Sequence, residues 1–189
     1  MESALIISNT EKSAAWFAEI LRAASISHIV ISKSCGEARR LLLEQDFDLA
    51  IVNGPLPDES GENLSRDIAA KGVSQVILLV RSEYFDMVSA VVEDDGVLTV
   101  AKPVSRPIFW SALTLARSAE KRIRLMRDEN AKLKQKIEDI RITDRAKCIL
   151  ISQMNLSERD AHRHIEKLAM DLRTTKRAIA ERIIKTYEL

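Results

Sequence analysis

The sequence predicts an α/β front, a doubly wound parallel five-stranded sheet, followed by a long coiled-coil helix and a small all-α unit of three helices. Three observations predict it. Five short apolar runs alternate with amphipathic, helix-length segments over the first hundred residues. From residue 105 to about 143, apolar residues recur in heptads. Beyond that the chain turns basic and divides into short helical segments. The domains predicted from these features are 1–115, 116–143 and 144–189.

The predicted strands are 4–7, 28–31, 49–52, 76–80 and 97–100, each continuously apolar, as in strands buried on both faces of a parallel sheet. The helices between them are 11–24, with Phe17, Ile20, Leu21 and Ala24 on one face, then 35–44, 61–70 and 83–93. Ser34 and Glu37 form a capping box for the second helix. Strict alternation implies right-handed crossovers, and in such sheets the functional edge lies at the carboxyl ends of the strands. Ser8, Asn9, Asn53, Arg81 and Lys102 fall there.

The 46% hydrophobic content is that of a globular protein. No apolar run approaches the roughly 18 residues of a membrane span, and the start lacks the order of a signal peptide, so a cytoplasmic protein is expected. Cys35 and Cys148 have no companions at metal-ligand spacing. No Gly-rich phosphate loop or nucleophile–base constellation is present, so neither an enzyme nor a cofactor is expected. The net charge of +1 hides a split: residues 1–116 carry 10 Lys and Arg against 16 Asp and Glu, and residues 117–189 carry 19 against 12. An acidic front and a basic back suit a protein whose back half meets nucleic acid, or one whose halves attract each other.

The long helix starts after Ser105, a plausible N-cap, with Pro107 in its first turn. Ile108, Phe109, Ala112 and Leu113 are expected to pack on the sheet. Farther on, Ala116, Ile123, Asn130 and Ile137 share one core position of the heptad, and Ala119, Met126, Leu133 and Ile140 share the other. Asn130 is a polar core residue, which weakens a seam but fixes its register and favours a parallel pair. A homodimer is therefore expected, the alternative being that the stripe packs on the protein's own core. In a parallel pair Glu129 would meet Lys134, whereas Arg122 would face Arg127 and Lys136 would face Arg141.

After residue 144 the first helical segment continues through Ala146, Ile149 and Leu150. Ser157 caps a second, with Ala161, Ile165, Leu168 and Leu172 on its apolar face, and residues 173–175 separate a third, with Ile179, Ala180, Ile183 and Ile184. Arg159, Arg163 and Lys167 recur every four residues, and Arg145, Lys147, Arg173, Lys176 and Arg177 lie near helix ends. Together they form a basic surface suited to phosphates. Tyr187 is the only aromatic residue after Trp110, so stacked aromatic platforms are not expected.

The segment DLAIVNGPLPDESG at 48–61, with Lys102-Pro103 after the fifth strand, resembles the receiver domain of two-component response regulators, a flavodoxin-like fold. The resemblance implies a phosphoacceptor aspartate where this chain has Asn53. It implies an acidic metal-binding pair where Ser8 and Asn9 stand, a hydroxyl residue at Val80 or its neighbour Arg81, and a lysine at Lys102. Only the lysine is kept. An amide nitrogen, delocalised into its carbonyl, cannot act as the carboxylate nucleophile, and without paired carboxylates a hard divalent cation loses its anchors. The domain is expected to be a pseudo-receiver, controlled by a partner protein or by dimerisation.

The order DRAKCIL at 144–150, LSERDAHRHIEKLAMDLR at 156–173 and AIAERII at 178–184 resembles the ANTAR domain. That resemblance implies an RNA-binding antiterminator acting as a dimer on leader-RNA stem-loops. By position it puts RNA contacts at Ala146 and Lys147, with Arg145, Arg173 and Lys176 close by. His162, His164 and Cys148 depart from the family pattern. The rival readings are a DNA-binding regulator, since three helices and positive charge also suit a helix-turn-helix, and a coiled-coil adaptor that binds only proteins.

Overall fold

A computed structural model of the chain describes residues 1–187. The elements run β1 (Ser3–Ile7), α1 (Glu11–Ala23), β2 (His28–Ser32), α2 (Cys35–Glu44), β3 (Leu49–Asn53), α3 (Glu62–Ala70), β4 (Gln75–Arg81), a 3-10 turn (Ser82–Tyr84), α4 (Phe85–Val92), β5 (Val97–Lys102), α5 (Arg106–Met154), α6 (Glu158–Asp171) and α7 (Lys176–Tyr187). They form two compact units, Met1–Arg124 and the part from Leu125 onward. The division falls inside α5.

In the first unit all strands are parallel, in the order β2-β1-β3-β4-β5. This is the flavodoxin-like order, whose direction of winding reverses between β1 and β3. β3 is buried along its whole length, as a central strand should be. The prediction of full burial fails for β2, where Ile31 is 45% exposed, because an edge strand has a neighbour on only one side. One face of the sheet packs on Phe17, Ile20 and Leu21 of α1 and on Phe109, Leu113 and Ala116 of α5. The other packs on Ala38, Leu64, Ile68 and Val88. Ile108, expected in this core, is 53% exposed, since the helix turns Phe109 inward instead.

The side-chain caps predicted at Ser34 and Ser157 form, the first with one change. Ser34 Oγ accepts from Glu37 N at 3.2 Å, but Glu37 Oε2 reaches Lys33 N at 2.7 Å rather than the cap's own amide. The segment predicted as one helix over 83–93 divides into the 3-10 turn and α4. α3 begins one residue late because Gly61 stands before it at φ 97°. A Cβ there would sit 2.7 Å from Val52 Cγ1, so both the dihedral and the space require glycine.

α5 runs unbroken through residue 143, so the first of the three short helices is its tail. Its end is marked by Asn155 at φ 54°. In the second unit Ala146, Leu150, Ala161, Ile165, Ala169, Ile179 and Ala180 form one core. Alanines at 146, 161 and 180 have no exposed surface, and their small side chains let the three helices approach closely. Leu172, predicted on this face, is 52% exposed because α6 has already ended. There the chain turns through Arg173 at φ 49°, with Thr174 N donating to Ala169 O and Arg173 N to Met170 O. That is a Schellman motif with arginine at the position glycine usually takes.

Candidate functional site

The first candidate lies at the carboxyl edge of the sheet, where Ser8 follows β1, β3 ends at Asn53 and β5 ends at Lys102. Lys102 Nζ donates to Asn53 Oδ1 at 3.1 Å and to the carbonyl of Gly54; Asn53 Nδ2 donates to Ser8 Oγ at 3.1 Å; Ser8 Oγ donates to Thr10 O at 3.3 Å. Asn53 and Ser8 are buried. The amide sits with its oxygen toward the ammonium and its nitrogen toward the hydroxyl, so each polar atom of the chain has a partner. Burial, helped by the Arg81 cation, holds the Lys102 ammonium below its usual pKa. Asn9 is exposed on the loop, and Val80 is an apolar member of β4 whose side chain takes no part. Thus Ser8, Asn53 and Lys102 come together, and Asn9 and Val80 do not join them.

The acidic loop after β3 has a structural role that the sequence did not reveal. Asp58 accepts from Cys35 N at 3.0 Å and Gly36 N at 2.9 Å, capping α2 from a distant part of the chain. Glu59 pairs with Arg39. Cys35, Asp58 and Glu59 are the one group of three potential metal-ligating side chains among the described residues. Burial, then the Asp58 and Glu59 charges, push the Cys35 thiol up to about 12, so it stays protonated and is a poor ligand.

The second candidate is the basic surface of the α6–α7 unit. Ala146, predicted to touch RNA, is fully buried in the core, so it positions its neighbours and makes no contact itself. Lys147 is held by Asp144 at 2.8 Å and Glu158 at 3.3 Å, which raise its pKa. Lys176 is paired with Glu166, which also lies 3.2 Å from His162. Arg177, a member of this set not picked out as a contact from sequence, bonds Asp139 at 2.8 Å and Glu181 at 2.7 Å. Thr143, Lys147, His162, Lys176 and Arg177 border a cavity of about 430 Å³. α7 starts with Lys176 and Arg177 and has no acid in its first turn, against the sense of the helix dipole. The cations of this groove are therefore balanced by carboxylates from α5, α6 and α7.

Other cations are not balanced. Arg173 is exposed, as are Arg159, Arg163 and Lys167 along α6, and none has a side-chain partner among the described residues. Arg145, also exposed, is not one of these unpartnered cations. On α5 the seam residues Ile123, Met126, Leu133, Ile137 and Ile140 are 37–61% exposed, and Asn130 is exposed with them. Nothing among the described residues covers that stripe. No helix among the described residues is long and apolar enough to cross a membrane.

Residues 131–184 match the family model of the ANTAR domain. The protein described as transcriptional regulatory protein PdtaR, from two strains of Mycobacterium tuberculosis, is 29% identical over 139 residues, or 74% of this chain and 68% of its own. The first unit is similar to the signal receiver domain of an HD domain-containing protein from Pseudomonas fluorescens Pf-5. That match has a TM-score of 0.57 at 18% identity and covers 65% of this chain and 90% of the other. It is also similar to a CheY-like response regulator receiver domain from Methanospirillum hungatei JF-1, with a TM-score of 0.56 at 17% identity and coverage of 65% and 98%. At such identities the likeness is one of fold.

Proposed function

We propose that this chain, a response regulator built of a receiver-like domain and an ANTAR domain, regulates transcription by binding RNA. The observation that carries the reading is the ANTAR match over residues 131–184, a span that holds the basic groove and the unpaired cations of α6. Two copies paired along α5 through Ile123, Met126, Asn130, Leu133, Ile137 and Ile140 would present two such surfaces to the stem-loops of a leader transcript. Held in that form, the transcript lets polymerase continue past a terminator. The work belongs in the cytoplasm, where transcripts are made.

The chemistry of the contact follows from the charges. Arg145, Lys147, Arg173 and Lys176 meet phosphates, with Arg177 beside them. For the paired cations, phosphate oxygens replace the carboxylates of Asp144, Glu158, Glu166 and Asp139. The exchange keeps each charge-assisted hydrogen bond while releasing counterions from the RNA. In the receiver-like domain Asn53 offers no nucleophilic carboxylate, and Ser8 and Asn9 offer no metal anchor. Its Lys102–Asn53–Ser8 chain fixes one state without phosphate, so control passes to a protein partner or to dimerisation.

Arg173 provides a test that separates binding from folding. At φ 49° an arginine is strained by about 1–2 kcal/mol, which glycine relieves, less the entropy its freer unfolded chain loses on folding. Arg173→Gly is expected to raise the melting temperature and yet weaken binding to a two-stem-loop RNA. In a salt series its binding slope should fall by about one, as should that of Lys147→Ala. Equal competition by duplex DNA would favour the DNA-binding reading. Failure to bind either nucleic acid, with native helix content, would favour the protein adaptor.

A further inference from the structure

Between residues 121 and 141, α5 carries eight Lys and Arg against four Asp and Glu. Their placement beside the apolar stripe matters more than their number. In a parallel, in-register pair, each residue just before one core position meets the residue five places later on the other helix. Arg122 then faces Arg127 of the second copy, Lys136 faces Arg141, and only Glu129 with Lys134 attract. By symmetry each contact occurs twice, giving four repulsions against two attractions. All six side chains are exposed, and none has a partner among the described residues. The contrast is with Lys147, Lys176 and Arg177, each already neutralised by a carboxylate of its own chain.

We propose that the flanks of the α5 seam make the free dimer self-repelling, and that an RNA phosphate backbone laid along them supplies the anions that hold the two copies together. This rests on the RNA-binding reading above. RNA binding and dimerisation are then one linked equilibrium: the RNA binds the pair more tightly than the single chain, and so shifts the population toward the pair. The apolar seam and Asn130 set the register, while the polyanion sets the amount of dimer.

The test is sedimentation equilibrium of the full chain. Without RNA, raising salt from about 0.05 to about 0.5 M shortens the screening length to a few ångströms and should tighten the dimer severalfold, opposite in sign to the salt effect on RNA binding. At low salt a two-stem-loop RNA should raise the dimer fraction, as should heparin, a polyanion without bases. The double variant R127E/K136E turns the four repulsions into attractions. It should dimerise at least about tenfold more tightly at low salt without any polyanion and lose the salt-induced gain, which also excludes salting-out of the seam as its cause. A wild-type dimer that weakens with salt, or a variant no tighter than wild type, would overturn the proposal. Salt and heparin effects as expected, with no effect of RNA, would leave the self-repulsion standing and overturn the role given to RNA.

Discussion

Asp58 shows how an exposed loop carboxylate can still carry a structural role. It lies in solvent and also receives the amides of Gly36 and Cys35, which hold its carboxyl below the usual range. A folded pKa below the unfolded value, about 3.9, means that its contribution is complete above that value and is lost as pH falls through the lower, folded one. Asp58→Asn should therefore give a flatter stability curve than wild type in acid titration below about pH 4, followed by circular dichroism. Thr99 is the converse case. Its Oγ1 is buried and has no hydrogen-bond partner among the described residues, so the hydroxyl is a cost. Replacing it by the isosteric valine should stabilise the first unit by about 1 kcal/mol, measurable in urea unfolding; a loss of stability would mean that the hydroxyl is satisfied in solution.

The same heptad register along α5 meets different surroundings. Up to Ala116 its apolar side chains are spent on the sheet, where Phe109, Leu113 and Ala116 are buried. Beyond Glu120 the stripe is open, and α5 changes from a packing helix to a candidate pairing helix without any break in its sequence pattern. Asn130 sits in the middle of the open part. Asn130→Leu should increase the melting temperature of the proposed dimer while allowing other registers or higher oligomers, so the expected outcome by sedimentation is a tighter, heterogeneous assembly. A single, weaker dimer would mean that Asn130 is not at the core of the seam.

The molecule has separate cores, two on the faces of the sheet and one among the last three helices. Ile165 is fully buried in the last of these. Ile165→Ala should cost about 2–5 kcal/mol and lower a thermal transition of the second unit, leaving that of the first where it was. A shift of both together would mean that the units melt as one.

Sequence by itself determined the order of elements, the parallel sheet and the residue types at its carboxyl edge. Alternation of apolar runs and helices, and the residue types at strand ends, are local properties that no packing can alter. It also marked Lys102 and Asn53 as neighbours through the fold they imply. Tertiary structure alone decided which charges are balanced. Glu158 reaches Lys147, Asp139 reaches Arg177 and Asp58 reaches α2 across 11, 38 and 22–23 residues, separations that follow no helical or strand period. It likewise decided that Ala146 is core rather than contact, because a small residue at a helix crossing and one beneath a ligand look alike until the third helix is in place. Coulomb attraction depends on distance in space, whereas periodicity reports only distance along the chain.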